Sequence, residues 1–201
     1  MTGRGAYAKG VARREEIIAT ALRTLAERGY RNTSLRAIAR ELGLQPAHIL
    51  HYFPSREKLL EAVVTAWDRR AWAAGVAAVG ADEGILTLWP ELVRHNTGVP
   101  GLVHLYTAFA AEAAAGGHPS REFFLGRFER VRGHLVDDIE RRKAAGRYPP
   151  ELDSARAAGS LIALSDGLQL QWLIDPRVDM VAELEQAIDA LAVVHPLRGR
   201  S

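Results

Sequence analysis

Residues 33–60 read TSLRAIARELGLQPAHILHYFPSREKLL, and this stretch decides the fold of the chain around it. Leu35, Ile38, Ala39 and Leu42 recur at helical spacing and share one face, with Arg36 and Arg40 off it. Thr33 is the expected N-cap of that helix, because its hydroxyl can accept one of the unpaired backbone N–H groups of the first turn. Gly43 then supplies the positive φ that a sharp interhelical turn needs. A second helix is expected over 45–52. Pro46 stands near its first position, where a missing N–H costs nothing, and Phe53-Pro54 ends it because proline disfavours a helical predecessor. Ser55 caps the next helix, which carries Leu59, Leu60, Val63, Val64 and Trp67 to about residue 78.

Two short helices joined by a glycine turn have the layout of a helix-turn-helix, in which the second helix lies in the major groove and the first crosses the backbone. Side chains facing the groove have to be small or hydrogen-bonding. Gln45, Ala47, His48 and His51 fit that face, with Pro46 at its start. A glutamine can pair with adenine through two hydrogen bonds, and a small Ala47 can touch a thymine methyl. Ile49, Leu50 and Phe53 are expected to point back toward the scaffold, although Leu50 can also lie near the groove edge. Thr33, Ser34, Arg36, Tyr52, Arg56 and Lys58 sit at helix starts or edges, suited to phosphate contacts that set register without reading sequence. The same spacing also suits a plain three-helix bundle with capped ends.

Composition narrows the class. The 201 residues are 48% hydrophobic and 25% charged, as in ordinary globular proteins. There is no cysteine, which excludes a disulfide framework and a thiolate metal site. The absence of a signal core and of any apolar window long enough to span a bilayer points to a cytoplasmic protein without a membrane partner. Net charge is +2, yet residues 1–60 alone hold eleven Lys/Arg against five Asp/Glu. A basic end joined to a mildly acidic remainder suits a protein of which one end meets a polyanion.

The rest of the chain reads as helices divided by breakers. A first helix over 11–28 carries Ile18, Ala21, Leu22, Leu25 and Ala26, preceded by a loose basic arm over 1–10. Further helices are expected at about 83–96 (bent near Pro90), 101–115, 120–145, 153–174 and 179–194, separated by Gly/Pro-rich segments. No strand pattern stands out. The expectation is all-α, about nine helices, with a DNA-binding domain over 11–60 and a second domain over 61–201.

The motif set itself, from Ile17 to about Val64, is specific in combination: Gly29-Tyr30, Thr33-Ser34, Ile38-Ala39, Gly43-Leu44 and the run Phe53-Pro54-Ser55-Arg56-Glu57-Lys58-Leu59-Leu60. It resembles the DNA-binding domain of the TetR family of one-component transcriptional regulators. The resemblance implies a homodimer that binds a palindromic operator in double-stranded DNA. It also implies a C-terminal domain that takes a small-molecule effector and then releases the operator, most simply as a repressor with no cofactor. Two positions depart from the family pattern: Leu50 stands where the family often has Tyr, and Tyr52 where it often has His. Arg56 corresponds to the family's phosphate-binding Lys.

Beyond residue 61 the resemblance is weaker. The stripes of 153–174 (Ala155, Ala158, Leu161, Ile162, Leu164, Leu168, Trp172) and 179–194 (Val181, Leu184, Ile188, Leu191, Ala192) can pack within the chain. They can equally pair across a two-fold into a four-helix bundle, which the resemblance favours. Trp89, His95, His104, Tyr106, Phe109, Phe123, Phe124, Phe128, Gln169 and Trp172 give an aromatic concentration with polar tips, the usual lining of an effector pocket, although such residues also fill cores. His134, Asp137 and Asp138 have a spacing that could hold a metal, but a solvated charged face running on into residues 140–143 is the better reading. No phosphate-cradling glycine loop, nucleophile elbow or zinc-protease signature occurs, so an enzyme is not expected. The alternative from another class is a helical interaction protein or enzyme with an incidental basic N-terminal domain.

Overall fold

A computed structural model of the chain describes residues 3–80 and 82–193, in which nine α-helices and no strand are found. They are α1 (Gly3–Arg28), α2 (Leu35–Glu41), α3 (Pro46–Tyr52), α4 (Arg56–Val79), α5 (Ile85–Thr97), α6 (Pro100–Ala113), α7 (Arg121–Ala144), α8 (Ser154–Ile174) and α9 (Met180–Asp189), with a 3-10 turn at Ala190–Ala192. The all-α expectation holds. One correction lies at the start, where residues 3–10 belong to α1 instead of forming a loose arm. Tyr7, Ala8 and Lys9 are exposed there, so these three residues add nothing to the buried stripe that begins at Ile17.

The helices form two compact units, residues 1–71 with 98–124, and residues 72–97 with 125–201. This packing is cut differently from the division at residue 60 that the sequence suggested. α6 and the first residues of α7 belong with the helix-turn-helix, and α4 and α7 each run from one unit into the other.

In the first unit, Ile17, Ala21 and Leu25 of α1 are fully buried, as are Ile49 of α3 and Leu59, Val63 and Val64 of α4. α1 packs closely on α6, and Gly101 is the reason it can. A Cβ there would stand 2.4 Å from the Leu25 carbonyl oxygen and 2.5 Å from that of Ala26. The arrangement also sets the partially negative end of α1 against the partially positive start of α6.

In the second unit α9 packs against α5 and α8, burying Met180, Leu184 and Ile188 with Leu161, Ile162 and Leu168 of α8. Asp153 and Asp179 cap α8 and α9 by accepting from Arg156 N and from Val181 and Ala182 N. Asp138 corrects the reading of 134–143 as a solvated face. Its side chain is buried, ion-paired to Arg141 at 2.6 Å and to Arg142 at 3.3 Å, and it accepts the Leu86 N–H at 2.9 Å. Leu86 stands in the first turn of α5, so a carboxylate from α7 caps that helix across 52 residues of sequence. Burial pushes the Asp138 carboxyl up. The hydrogen bonds from Arg141 and Leu86 N–H, with the Arg142 charge, outweigh that and hold it below its ordinary value. No group of three or more metal-ligating side chains occurs among the described residues, and His134 lies against the Trp72 ring at 6.2 Å.

Candidate nucleic-acid interface

The turn between α2 and α3 is built from backbone hydrogen bonds around one glycine. Leu44 N–H donates to the Ala39 carbonyl at 2.8 Å and Gly43 N–H to that of Arg40 at 3.1 Å, with Gly43 at φ 63°. This is the paired-bond helix ending that a left-handed residue permits, and it releases the chain at a fixed angle into Gln45 and Pro46. α2 is capped by Ser34, not Thr33: the Ser34 hydroxyl accepts Ala37 N–H at 3.2 Å. Thr33 is buried, and its hydroxyl donates to the Gly29 carbonyl at 2.9 Å. It therefore closes the turn after α1 and is not presented to a phosphate.

α3 is anchored by its back. Ile49 is fully buried, and Phe53 beyond its end is 1% exposed beneath the Arg14 guanidinium, which lies 4.8 Å from the ring centre. With Ile49 turned inward, helical geometry turns Ala47, His48 and His51 outward, and all three are exposed. Gln45 is exposed and Pro46 half-buried at the helix start, with Tyr52 half-buried edge-on to His51 at 5.2 Å. Leu50 is 41% exposed, so it joins the outer face instead of the scaffold. It lies three residues from Ala47, on the same side of the helix.

The surrounding cations divide into two kinds. Arg36 on α2 is exposed, and Lys58 on α4 is exposed beside Glu61 at 2.8 Å, an ion pair of the weak surface type. Arg56 is held from within. Its Nη1 donates to the Tyr30 hydroxyl at 3.1 Å, and its guanidinium lies 4.7 Å from the centre of the Tyr30 ring. Tyr30 in turn donates to Glu112 of α6 at 2.6 Å and meets His104 edge-on at 6.4 Å. Burial, then the bond to Glu112, raise the Tyr30 phenol above its ordinary value, so it stays protonated as a donor. In the sequence Tyr30 is marked by nothing beyond its place after Gly29, because its partners lie 26 and 82 residues away.

The residues expected to line one effector pocket fall into the two separate units. In the first, Tyr106, Phe109 and Phe124 form a buried cluster, with Phe109 and Phe124 at 5.2 Å and Tyr106 and Phe124 at 6.1 Å, and with half-buried His104 on the same helix as Tyr106. Trp67, not expected there, joins at 6.4 Å from Tyr106. In the second unit Trp89, Phe128 and Trp172 pack against the core. Gln169, one turn before Trp172 on α8, is buried, and its side-chain carbonyl has no hydrogen-bond partner among the described residues. His95 is exposed near the end of α5.

Comparison with known proteins converges on one group. Residues 17–63 match the family model of bacterial regulatory proteins of the tetR family, and residues 81–193 match that of the C-terminal part of BetI-type transcriptional repressors. The transcriptional regulator BetI of Agrobacterium fabrum is 30% identical over 163 residues, covering 79% of this chain and 76% of its own. PksA of Bacillus subtilis is 26% identical over 168 residues, covering 82% of this chain and 80% of its own. Among solved structures, a TetR-family regulator from Rhodococcus sp. superposes with a TM-score of 0.72 at 22% identity, covering 90% of this chain and 100% of its own. A transcriptional regulator from Saccharomonospora viridis, solved in complex with choline, gives 0.66 at 26% identity, covering 89% of this chain and 94% of its own. No described helix is long and apolar enough to cross a membrane. A recognition helix anchored by Ile49, the glycine turn behind it and two family matches that together span most of the sequence lead to one assignment: the chain belongs to the TetR family of helix-turn-helix transcriptional regulators.

Proposed function

We propose that the protein is a repressor that binds a palindromic operator as a homodimer and leaves it when a small molecule binds its second unit. The observation that carries the DNA part is the outer face of α3, where Ala47, His48, Leu50 and His51 are exposed and only the back of the helix is buried. Gln45 and the two histidines supply hydrogen-bonding groups for base edges, and Ala47 and Leu50 apolar contact for thymine methyls. Ser34, Arg36, Arg56 and Lys58 serve the phosphates. Gln45→Ala is expected to change which bases are preferred at one position of each half-site while leaving non-specific binding within about twofold, measured by selection from a randomised duplex.

Dimerisation has to use surface that the chain does not already cover. The large apolar residues of the α8 and α9 stripes are occupied inside the second unit, while on the last turns of α8 Leu170 is 55% and Ile174 78% exposed. These two residues are the proposed centre of the two-fold contact. Ile174→Arg puts a cation at a helix C-terminus, which suits the monomer, and buries a charge only in the dimer. The expected result is a monomer in sedimentation velocity with its circular dichroism unchanged and operator affinity lowered about a hundredfold, since two half-sites are no longer held together.

For the effector we propose a small quaternary-ammonium alcohol of the choline type, read by Trp89, Phe128, Gln169 and Trp172. Indole faces attract such a cation, and one ligand hydroxyl matches the unpartnered Gln169 carbonyl, which otherwise forgoes roughly 1–3 kcal/mol. The relative that binds choline supports the same class. A ligand acts only through a difference in affinity between the two states, so choline should weaken operator binding and Trp172→Ala should abolish that response. Tetramethylammonium, which lacks the hydroxyl, should act more weakly. Unchanged operator binding at saturating choline would remove the choline-type effector and leave the DNA reading standing.

A further inference from the structure

We propose that Tyr30 is a positioning residue for DNA binding: it fixes the Arg56 guanidinium at the start of α4 for a phosphate and ties that position to Glu112 on α6. The proposal rests on the DNA-binding reading above and adds to it a dependence on α6.

Three elements of the first unit meet at one phenol. The turn after α1 supplies Tyr30, the first residue of α4 supplies Arg56, and α6 supplies Glu112. The hydrogen bonds run in one direction, from the Arg56 N–H to the Tyr30 oxygen at 3.1 Å and from the Tyr30 O–H to the Glu112 carboxylate at 2.6 Å. Each bond in such a chain polarises the next. The ring beneath the guanidinium, 4.7 Å away, fixes the plane of the Arg56 fork, while Tyr30 itself is only 5% exposed and cannot turn. A guanidinium has five N–H groups, and the bond to Tyr30 uses one of them, so the others remain for a phosphate. An arginine held this way has already lost the rotamer freedom that a loose side chain would lose on binding. Lys58 makes the contrast. Among the described residues its ammonium is paired with Glu61 on its own helix, and no other described element sets its place. Because Glu112 lies on α6, a shift of α6 withdraws the acceptor that keeps the Tyr30 hydroxyl pointing along this line.

The test is a cycle on the selected operator, with affinity measured across a range of salt for the wild type, Tyr30→Phe, Arg56→Ala and the double variant. Tyr30→Phe keeps the ring and removes the hydroxyl. The expected result is a five- to tenfold loss of affinity for Tyr30→Phe, with its salt slope reduced toward that of Arg56→Ala, which itself falls by about one per protomer. The double variant should bind within twofold of Arg56→Ala. Glu112→Gln, at an exposed position, tests the same chain without touching the buried ring, and should shift affinity and slope in the same direction by two- to threefold. A merely structural role would lower stability without changing the salt slope. Wild-type affinity and slope in Tyr30→Phe and Glu112→Gln, or losses that multiply in the double variant, would overturn the relay while leaving the regulator reading intact. Absence of specific binding by the wild type would overturn both.

Discussion

Asp138→Ala is expected to remove about 3–5 kcal/mol of stability near neutral pH, because it leaves a buried charge and a helix terminus without their shared partner. Arg142 stays largely covered, and the Leu86 N–H at the start of α5 loses its acceptor. Arg142 would keep its bond to the Thr87 hydroxyl at 2.7 Å, so the loss is confined to what the carboxylate supplies. The pH dependence follows from the sign of the shift. The folded carboxyl titrates below its ordinary value, so it contributes stability above the unfolded value of 3.8 and loses it as pH falls through the folded one. Urea unfolding at pH 7 and again below pH 4 checks this. The gap between wild type and variant should be widest at pH 7 and should narrow on acidification. An equal gap at both pH values would mean that Asp138 acts through packing alone.

Gly101→Ala is the second large effect, expected at about 3 kcal/mol or more. The added methyl would meet two backbone carbonyls of α1 at 2.4 Å and 2.5 Å, and backbone, unlike the tip of a side chain, cannot swing aside. α6 would have to draw away from α1, loosening the unit that carries the recognition helix. Gly133→Ala is the matched control. It also adds a methyl to a helical glycine, but meets nothing within 4 Å, so the ordinary helix preference for alanine should stabilise it by about 0.5–1 kcal/mol. Opposite signs for one chemical change would locate the effect in the α1–α6 approach. Thermal unfolding of both variants reads it directly.

The parts of this fold that were legible in the sequence are those made by neighbours. Gly43, Pro46, Ser55 and the spacing of Leu35, Ile38 and Ala39 act within a few residues, so they identify the turn, the helix starts and the buried face without reference to the rest of the chain. What remained hidden depends on distant partners or on direction. Asp138 looks like one acid in a charged run until α5 is brought to it across 52 residues. Tyr30, Arg56 and Glu112 carry no shared period, since a turn and two helices contribute one residue each. Thr33 and Ser34 are equally good caps by type, and only the burial of Thr33 against the Gly29 carbonyl separates them. Leu50 stays open in the sequence for a simpler reason: apolarity argues for burial, whereas its angle around α3 from Ile49 sets it on the outer face, the groove-edge alternative. The aromatic residues were legible as a concentration but not as two groups, because composition does not record which unit a helix joins.

If α3, held as one of a pair, reads a duplex, the recovered DNA has to carry the symmetry of that pair. Selecting genomic fragments with the purified protein, then measuring affinity for the recovered sequence and for bulk DNA at moderate salt, decides this. The expected result is a two-fold symmetric site with half-sites about one helical turn, or a multiple of it, apart, bound at least about a thousandfold more tightly than bulk DNA. Equal affinity for recovered and bulk DNA, with no symmetric sequence in common, would mean that α3 does not read DNA as one of a pair.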